Sequence, residues 1–196
     1  MIAHLRGKLL AKHPNQAIVE AGGVGYDVNI SIPTFSSLPD AGSEVALFIH
    51  MHVREDALSL YGFLQTADKM LFEKLISVSG IGPKLANTIL SGMPETSQIV
   101  NAIRSGDLSR LTRIPGVGKK TAERMVLELR DKFPASGLEQ APRIAATPVR
   151  EDVISALINL GYKQAEVEKA LTGISSGGKP ESFDLLFREV MGRLSK

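Results

Sequence analysis

The 196-residue sequence has no cysteine, which excludes disulfides and thiolate metal sites and fits a reducing compartment. No apolar run approaches the roughly 20 residues that span a bilayer, and no basic-then-apolar leader is present. No membrane partner is expected, and the cytoplasm is the expected location. A P-loop is missing as well: Gly118-Lys119 is followed by Lys120 instead of Ser or Thr, and Ile114 stands where that motif needs a further glycine. Gly-Gly-Val-Gly at 22–25 opens no helical pattern, so it is not a dinucleotide fingerprint. No carboxylates cluster as a two-metal nuclease site would require. His50 and His52 share a strand face, but no third ligand stands near them. The sequence therefore predicts no catalytic residue, no metal and no cofactor. Net charge is small, at +2, and informs only when divided by region.

Two stretches carry the information. Leu75–Ala86 (LISVSGIGPKLA) and Leu111–Ala122 (LTRIPGVGKKTA) align without a gap, Gly80 against Gly116, at an offset of 36 residues. Each is an apolar helix end, a Gly-x-Gly turn, a lysine and a second helix. Glycine tolerates positive φ, so the turn reverses sharply between helices. Ile81 and Val117 are expected to tuck back as apolar plugs, and Pro83 suits the first position of the next helix, where no amide donor is needed. The unpaired N–H groups at that helix start attract anions, phosphate above all. Lys84 in one copy, and Lys119 and Lys120 in the other, add full charges. The candidate DNA-binding residues are Gly80, Gly82, Lys84, Gly116, Gly118, Lys119, Lys120 and Arg124, a phosphate grip that reads no base. A lone Gly-x-Gly is an ordinary helix turn; two matched copies resemble the helix-hairpin-helix family, whose paired units clasp duplex backbones without sequence preference.

The rest of the chain falls into regions. Residues 1–63 alternate with period two (Tyr26, Val28, Ile30; Val45, Leu47, Ile49, Met51, Val53) and predict five or so short strands, with a Gly22-Gly23 hairpin turn and a connecting stretch at Ile32–Ser43. The expectation is a small closed OB-like barrel, with four basic and six acidic residues. Residues 64–133 turn helical, with eleven basic against seven acidic residues; Arg110, Arg113, Lys119, Lys120 and Arg124 gather around the second hairpin. In this region Asp68 or Thr66 is expected to cap a helix running to Val78, and Asp107 a later one. Residues 134–149, with three prolines, read as a linker. Residues 150–196 read as three helices marked by Val153, Leu157 and Leu160, then Val167 and Leu171, then Leu185, Leu186, Val190 and Leu194. Basic and acidic residues balance there. Its Leu160-Gly161-Tyr162 turn resembles the ubiquitin-associated type of protein-binding module, so these three residues are the candidate partner-binding site. The fold class is thus α+β and multidomain: barrel, tandem helix-hairpin-helix domain, linker and three-helix domain.

Four local strings go further: His52–Ala57 (HVREDA), Leu60–Phe63 (LYGF), Gly80–Lys84 (GIGPK) and Ile114–Arg124 (IPGVGKKTAER). They look like the RuvA family of bacterial Holliday-junction proteins, and the likeness covers essentially the whole chain. It implies a homotetramer, with one or two tetramers left open, that holds four-way junction DNA open and flat. It implies recruitment of a hexameric AAA+ ATPase, RuvB, through the C-terminal module for branch migration in recombination and repair, and it leaves room for the resolvase RuvC. Under fourfold symmetry it brings Arg54, Glu55 and Asp56 to the junction centre as an acidic pin. Two rival readings are a glycosylase- or nuclease-like repair enzyme, for which Glu123, Glu128 and Asp131 offer only an ordinary charged helix surface, and a general DNA-binding scaffold.

Overall fold

Period-two alternation builds the first third of the chain into five strands: β1 (His4–His13), β2 (Gln16–Ala21), β3 (Val24–Ile30), β4 (Glu44–Val53) and β5 (Leu58–Phe63). The computed structural model describes residues 1–133, 149–172 and 182–194, in two compact units, Met1–Ala141 and Pro142–Lys196. The strands close into a barrel in the order β1-β2-β3-β5-β4, as the OB-like expectation required. β1 pairs with β4 over His4–Lys8 and with β2 over Lys8–His13, and a register shift between Leu9 and Ala11 lets it bend around the barrel. The parallel pairing of β3 with β5 makes the other seam. Gly22 and Gly23, at φ +60° and +83°, form the expected two-residue turn.

Leu5, Leu9, Val19, Val28, Ile30, Leu47 and Ile49 fill the barrel. Each such side chain contributes roughly 1.5–3 kcal/mol on burial. The alternation of β4 fails at its end. Val53 and its cross-strand partner Leu58 are each 60% exposed, because there the hairpin projects beyond the packed barrel. The stretch Ile32–Ser43 is more than a connection. It begins with helix α1 (Ile32–Ser37), whose first turn is closed by Ser31 Oγ accepting from the Thr34 amide at 3.3 Å, and Leu38 drops into the barrel core.

From residue 66 the apolar spacing becomes helical and gives α2 (Thr66–Ile76), α3 (Pro83–Ser91), α4 (Thr96–Ser105), α5 (Leu108–Leu111) and α6 (Lys119–Leu129), the last extended by a 3-10 turn at Arg130–Lys132. Gly106 ends α4 in the left-handed region, and Asp107 caps α5 through the Arg110 amide at 3.0 Å. The expected cap on α2 is absent: its cap position is Gln65, with no side-chain bond, and the helix stops at Ile76 instead of Val78. Asp68 instead accepts a hydrogen bond from Thr96 Oγ1, joining α2 to the start of α4. Burial raises its carboxyl pKa, against the opposing pull of that hydrogen bond.

Barrel and helices are fastened within this unit. Phe72 of α2 lies 5.0 Å from the rings of both Tyr61 and Phe63. Asn87 of α3 donates to the Ile30 carbonyl at 3.0 Å, and the Ile32 amide donates to Ser91 Oγ at 3.0 Å. The barrel thus serves as a rigid seat for the hairpins.

The second unit holds α7 (Val149–Asn159), α8 (Gln164–Thr172) and α9 (Phe183–Leu194) around Val153, Leu157, Val167, Leu171, Leu186 and Val190. Two of the leucines expected to mark these helices face outward: Leu160 is 61% and Leu185 71% exposed. Leu160 follows the last residue of α7, where Gly161 at φ +94° takes the chain off the helix. The Gly161 amide donates to Ile158 and that of Tyr162 to Leu157, at 2.9 and 3.1 Å, a Schellman cap that turns Leu160 away from the core. The linker expected at 134–149 lies outside the described residues, except Val149, which starts α7.

Candidate nucleic-acid interface

The two Gly-x-Gly turns are structural copies. Ile81 donates its amide to the Val78 carbonyl at 3.0 Å, and Val117 to Ile114 at 3.0 Å; Ala86 donates to Gly82 at 2.9 Å, and Ala122 to Gly118 at 2.9 Å. The plugs lie in one core with Ala122 and Met125, Ile81 3% and Val117 4% exposed. Plug burial and the bond to the preceding helix end fix the peptide chain on the inner side of each turn. The outer side then presents backbone.

The two glycines of each turn differ in what they do. Gly80 and Gly116 have φ of +92° and +83°, a conformation that costs an L-residue with a side chain roughly 1–2 kcal/mol. Gly82 and Gly118 have φ/ψ of −86°/171° and −81°/169°, extended geometry open to any residue. A Cβ built on either meets nothing within 4 Å. Both are helix cap positions, where Ser, Thr, Asp or Asn would satisfy an amide, yet neither α3 nor α6 has a side-chain cap. Neither backbone strain nor internal packing calls for glycine there. What glycine does supply is unobstructed approach to the leading amides, which a helix start leaves without an internal acceptor.

Lys84, Lys119 and Lys120 stand exposed at these starts, as do Arg110 and Arg113 on the approach to the second turn. Among the described residues none of the three lysines is in a salt bridge. These cationic side chains add to two oriented helix ends, which makes an electrostatic site for polyanions. Arg124 sits differently. It is half-buried, and its Nη1 donates to the Ser79 carbonyl at 3.2 Å and Ser79 Oγ at 3.4 Å, in the other hairpin. Ser79 and Leu85, which touches the Gly116 side of the second turn, carry no signal in the sequence that would single them out.

At the projecting β4–β5 hairpin the Arg54 amide donates to the Ala57 carbonyl at 2.8 Å, closing a tight loop with Glu55 and Asp56 exposed on it. Arg54 turns its side chain back, Nε donating to His52 Nε2 at 3.0 Å. His50 faces Glu73, Nδ1 to Oε1 3.3 Å, and packs on Phe72, so the two histidines serve separate contacts. Among the described residues no three His, Cys, Asp or Glu side chains gather as metal ligands. No helix among them is long and apolar enough to cross a membrane. Glu123, Glu128 and Asp131 lie along α6 and the turn after it, beyond the lysine-bearing end.

Comparison with known proteins places these parts. Residues 1–62 match the RuvA N-terminal domain, 72–131 a SAM-like helix-hairpin-helix tandem, and 148–188 the RuvA C-terminal domain. The chain is 55% identical over 194 residues to a protein of Solibacter usitatus (strain Ellin6076) described as Holliday junction branch migration complex subunit RuvA, covering 97% of this chain and 98% of the relative. Proteins of the same description from Acidobacterium capsulatum and Geotalea daltonii are 55% identical over 196 residues and 49% over 203, covering 97% and 100% of this chain and 98% and 100% of each relative. Likeness at this level runs through barrel, hairpins and terminal helices together, and the chain belongs to the RuvA family.

Proposed function

We propose that this protein binds four-way DNA junctions without regard to sequence, holds their arms apart, and recruits the hexameric AAA+ ATPase RuvB for branch migration in recombination and repair. The observation that carries the DNA half is the pair of cap-position glycines, Gly82 and Gly118. The chain itself gives no reason for them, and a phosphate drawn against the amides does. Gly80 and Gly116 shape the turns; Lys84, Lys119 and Lys120 hold the anion, and Arg124 serves the same interface. Every contact of this kind is to the backbone, which positions without specifying. The protein has no chemistry of its own, and ATP hydrolysis belongs to the partner.

The division of labour follows residues 1–63, 64–133, a tether over 134–149 and a partner-binding domain over 150–196. Leu160, Gly161 and Tyr162 form the partner contact; an exposed leucine beside a half-buried tyrosine, on a charge-balanced surface, supports that role. A homotetramer carries Arg54, Glu55 and Asp56 to the junction centre, where the acids repel the backbones that the hairpins attract. One tetramer leaves a face of the junction open to the resolvase RuvC; two would enclose it. The test is ATP-driven branch migration of a synthetic four-way junction by RuvB, with and without the full chain. Strand exchange only when the chain is present is expected. Equal exchange in its absence, or none in its presence, would defeat the assignment.

A further inference from the structure

Among the positions where the two copies differ, one joins the two turns. Offset by 36 residues, Arg124 of α6 corresponds to Thr88 of α3. Thr88 stays within its own helix, its Oγ1 donating to the Lys84 carbonyl at 3.1 Å. Arg124 instead reaches the opposite hairpin, where Nη1 meets the Ser79 carbonyl and hydroxyl at 3.2 and 3.4 Å and lies 3.9 Å from where a Gly80 Cβ would stand. A reciprocal contact runs the other way but is apolar: Leu85 Cδ1 of α3 lies 3.0 Å from where a Gly116 Cβ would stand. Beside the first glycine of each turn there is thus a side chain of the other hairpin. Both braces start within the first two turns of the helix that follows the partner turn, so they tie grip to grip instead of grip to core.

We propose that Arg124 is a positioning residue that sets the spacing of the two phosphate-binding turns by bracing the first from the second. This rests on the reading of both turns as phosphate grips. Two grips clasp two backbones only if their separation matches the separation of the phosphates. A glycine-rich turn held on its inner side by the buried Val78 and Ile81 keeps freedom on its outer side, at Ser79-Gly80. A guanidinium is suited to such a brace because it is planar, always charged, and offers several donors in fixed directions, whereas an ammonium presents a hydrated point charge. A hydrogen bond from a charged donor to a backbone carbonyl is also the stronger kind.

The alternative is that Arg124 itself meets a phosphate, and the two differ in what they predict. Arg124→Gln and Arg124→Lys are compared with wild type for hydrogen exchange without DNA and for junction affinity across a salt series. A brace predicts faster exchange at 79–82 with 116–118 unchanged in both variants, a comparable loss of affinity in both, and a salt slope like that of wild type. A direct contact predicts unchanged exchange, near-normal binding by Arg124→Lys, and a slope flattened by about 0.9 per engaged protomer in Arg124→Gln; that pattern overturns the proposal. Double-mutant cycles add a second reading. Arg124→Gln is expected to cost less in a Lys84→Gln background than alone, and its full effect in a Lys119→Gln background. Full additivity with Lys84→Gln removes the link to the first turn. If Lys84→Gln and Lys119→Gln each leave junction affinity untouched, the grip reading itself fails and the brace loses its purpose, even with the exchange result intact.

Discussion

Alanine at each of the four turn glycines separates folding from binding. At Gly116 a side chain meets φ +83° and a Leu85 methyl at 3.0 Å. The backbone term alone costs roughly 1–2 kcal/mol, which for a chain of this size lowers the melting temperature by about 2–4 °C per kcal/mol. Gly80→Ala has the same backbone term without a close contact, its nearest neighbour being Arg124 Nη1 at 3.9 Å. At Gly118 and Gly82 the backbone is extended and a Cβ meets nothing. There the smaller entropy of the unfolded alanine chain, about 0.4–1 kcal/mol, offsets a poorer helix cap, and stability hardly changes. Binding behaves in the opposite way. A methyl group on the outer surface of the turn holds a phosphate off the leading amides, and losing one hydrogen bond to a charged group costs roughly 1.5–3 kcal/mol. Gly118→Ala should therefore melt like wild type and bind a labelled four-way junction roughly ten- to a hundred-fold more weakly, in line with those energies. The assays are calorimetric melting and fluorescence anisotropy on the same preparations. Wild-type affinity in Gly82→Ala and Gly118→Ala would refute the idea that these glycines answer to an external ligand.

Further outcomes follow from the charges. Lys119→Gln with Lys120→Gln removes up to two phosphate contacts per protomer, so the salt slope should flatten by about 1.8 for each protomer engaged, roughly 7 for a full tetramer, at 0.9 per contact, equally for junctions of any sequence; a loss confined to certain sequences contradicts a backbone grip. Glu55→Gln with Asp56→Asn removes a repulsion on the order of a kcal/mol; linear duplex should bind better and discrimination of junctions should fall, and unchanged duplex affinity would leave these acids as solvated surface. Leu160→Glu should abolish stimulation of RuvB while junction affinity stays as it was, and retained stimulation would move the partner contact elsewhere. Asp68 holds its proton more tightly folded than unfolded, through burial. Stability should therefore fall as pH rises above the ordinary 3.8 into the raised range. Asp68→Asn should melt higher than wild type near neutral pH and equal to it below pH 3.8, and a uniform offset would rule that linkage out.

Much of this architecture was legible in the residues because the signals were repeated. Alternation over β3 and β4, and two copies of an apolar end, Gly-x-Gly, lysine and helix, each state the same thing more than once. The misreadings are local and have local causes. Leu185 carries helical spacing, but periodicity does not tell which side of a stripe a neighbouring helix covers; Leu160, expected to mark the first of the terminal helices, lies one residue beyond it, turned outward by a Schellman cap. Val53 continues the β4 alternation past the point where the barrel has anything to pack on it. Helix α1 is signalled only by Ser31 and Pro33, within a stretch whose proline and serines read as a loop. Asp68 has the composition of a cap, and its hydrogen bond to Thr96, 28 residues away, is a tertiary fact. The Arg124–Ser79 brace belongs to the same class. Sequence places Arg124 among basic residues near a turn, and only the packing of one hairpin on the other shows which turn it holds.

Paired backbone grips on a barrel seat should recognise a four-way junction. The most direct measurement is the affinity of the full chain for a four-way junction and for linear duplex of the same arm sequences and length, at one fixed salt concentration. The junction is expected to bind more tightly by at least roughly tenfold, about 1.4 kcal/mol, and permuting the arm sequences to change neither value. Equal affinity for junction and duplex, or a preference that follows the sequence, would contradict it.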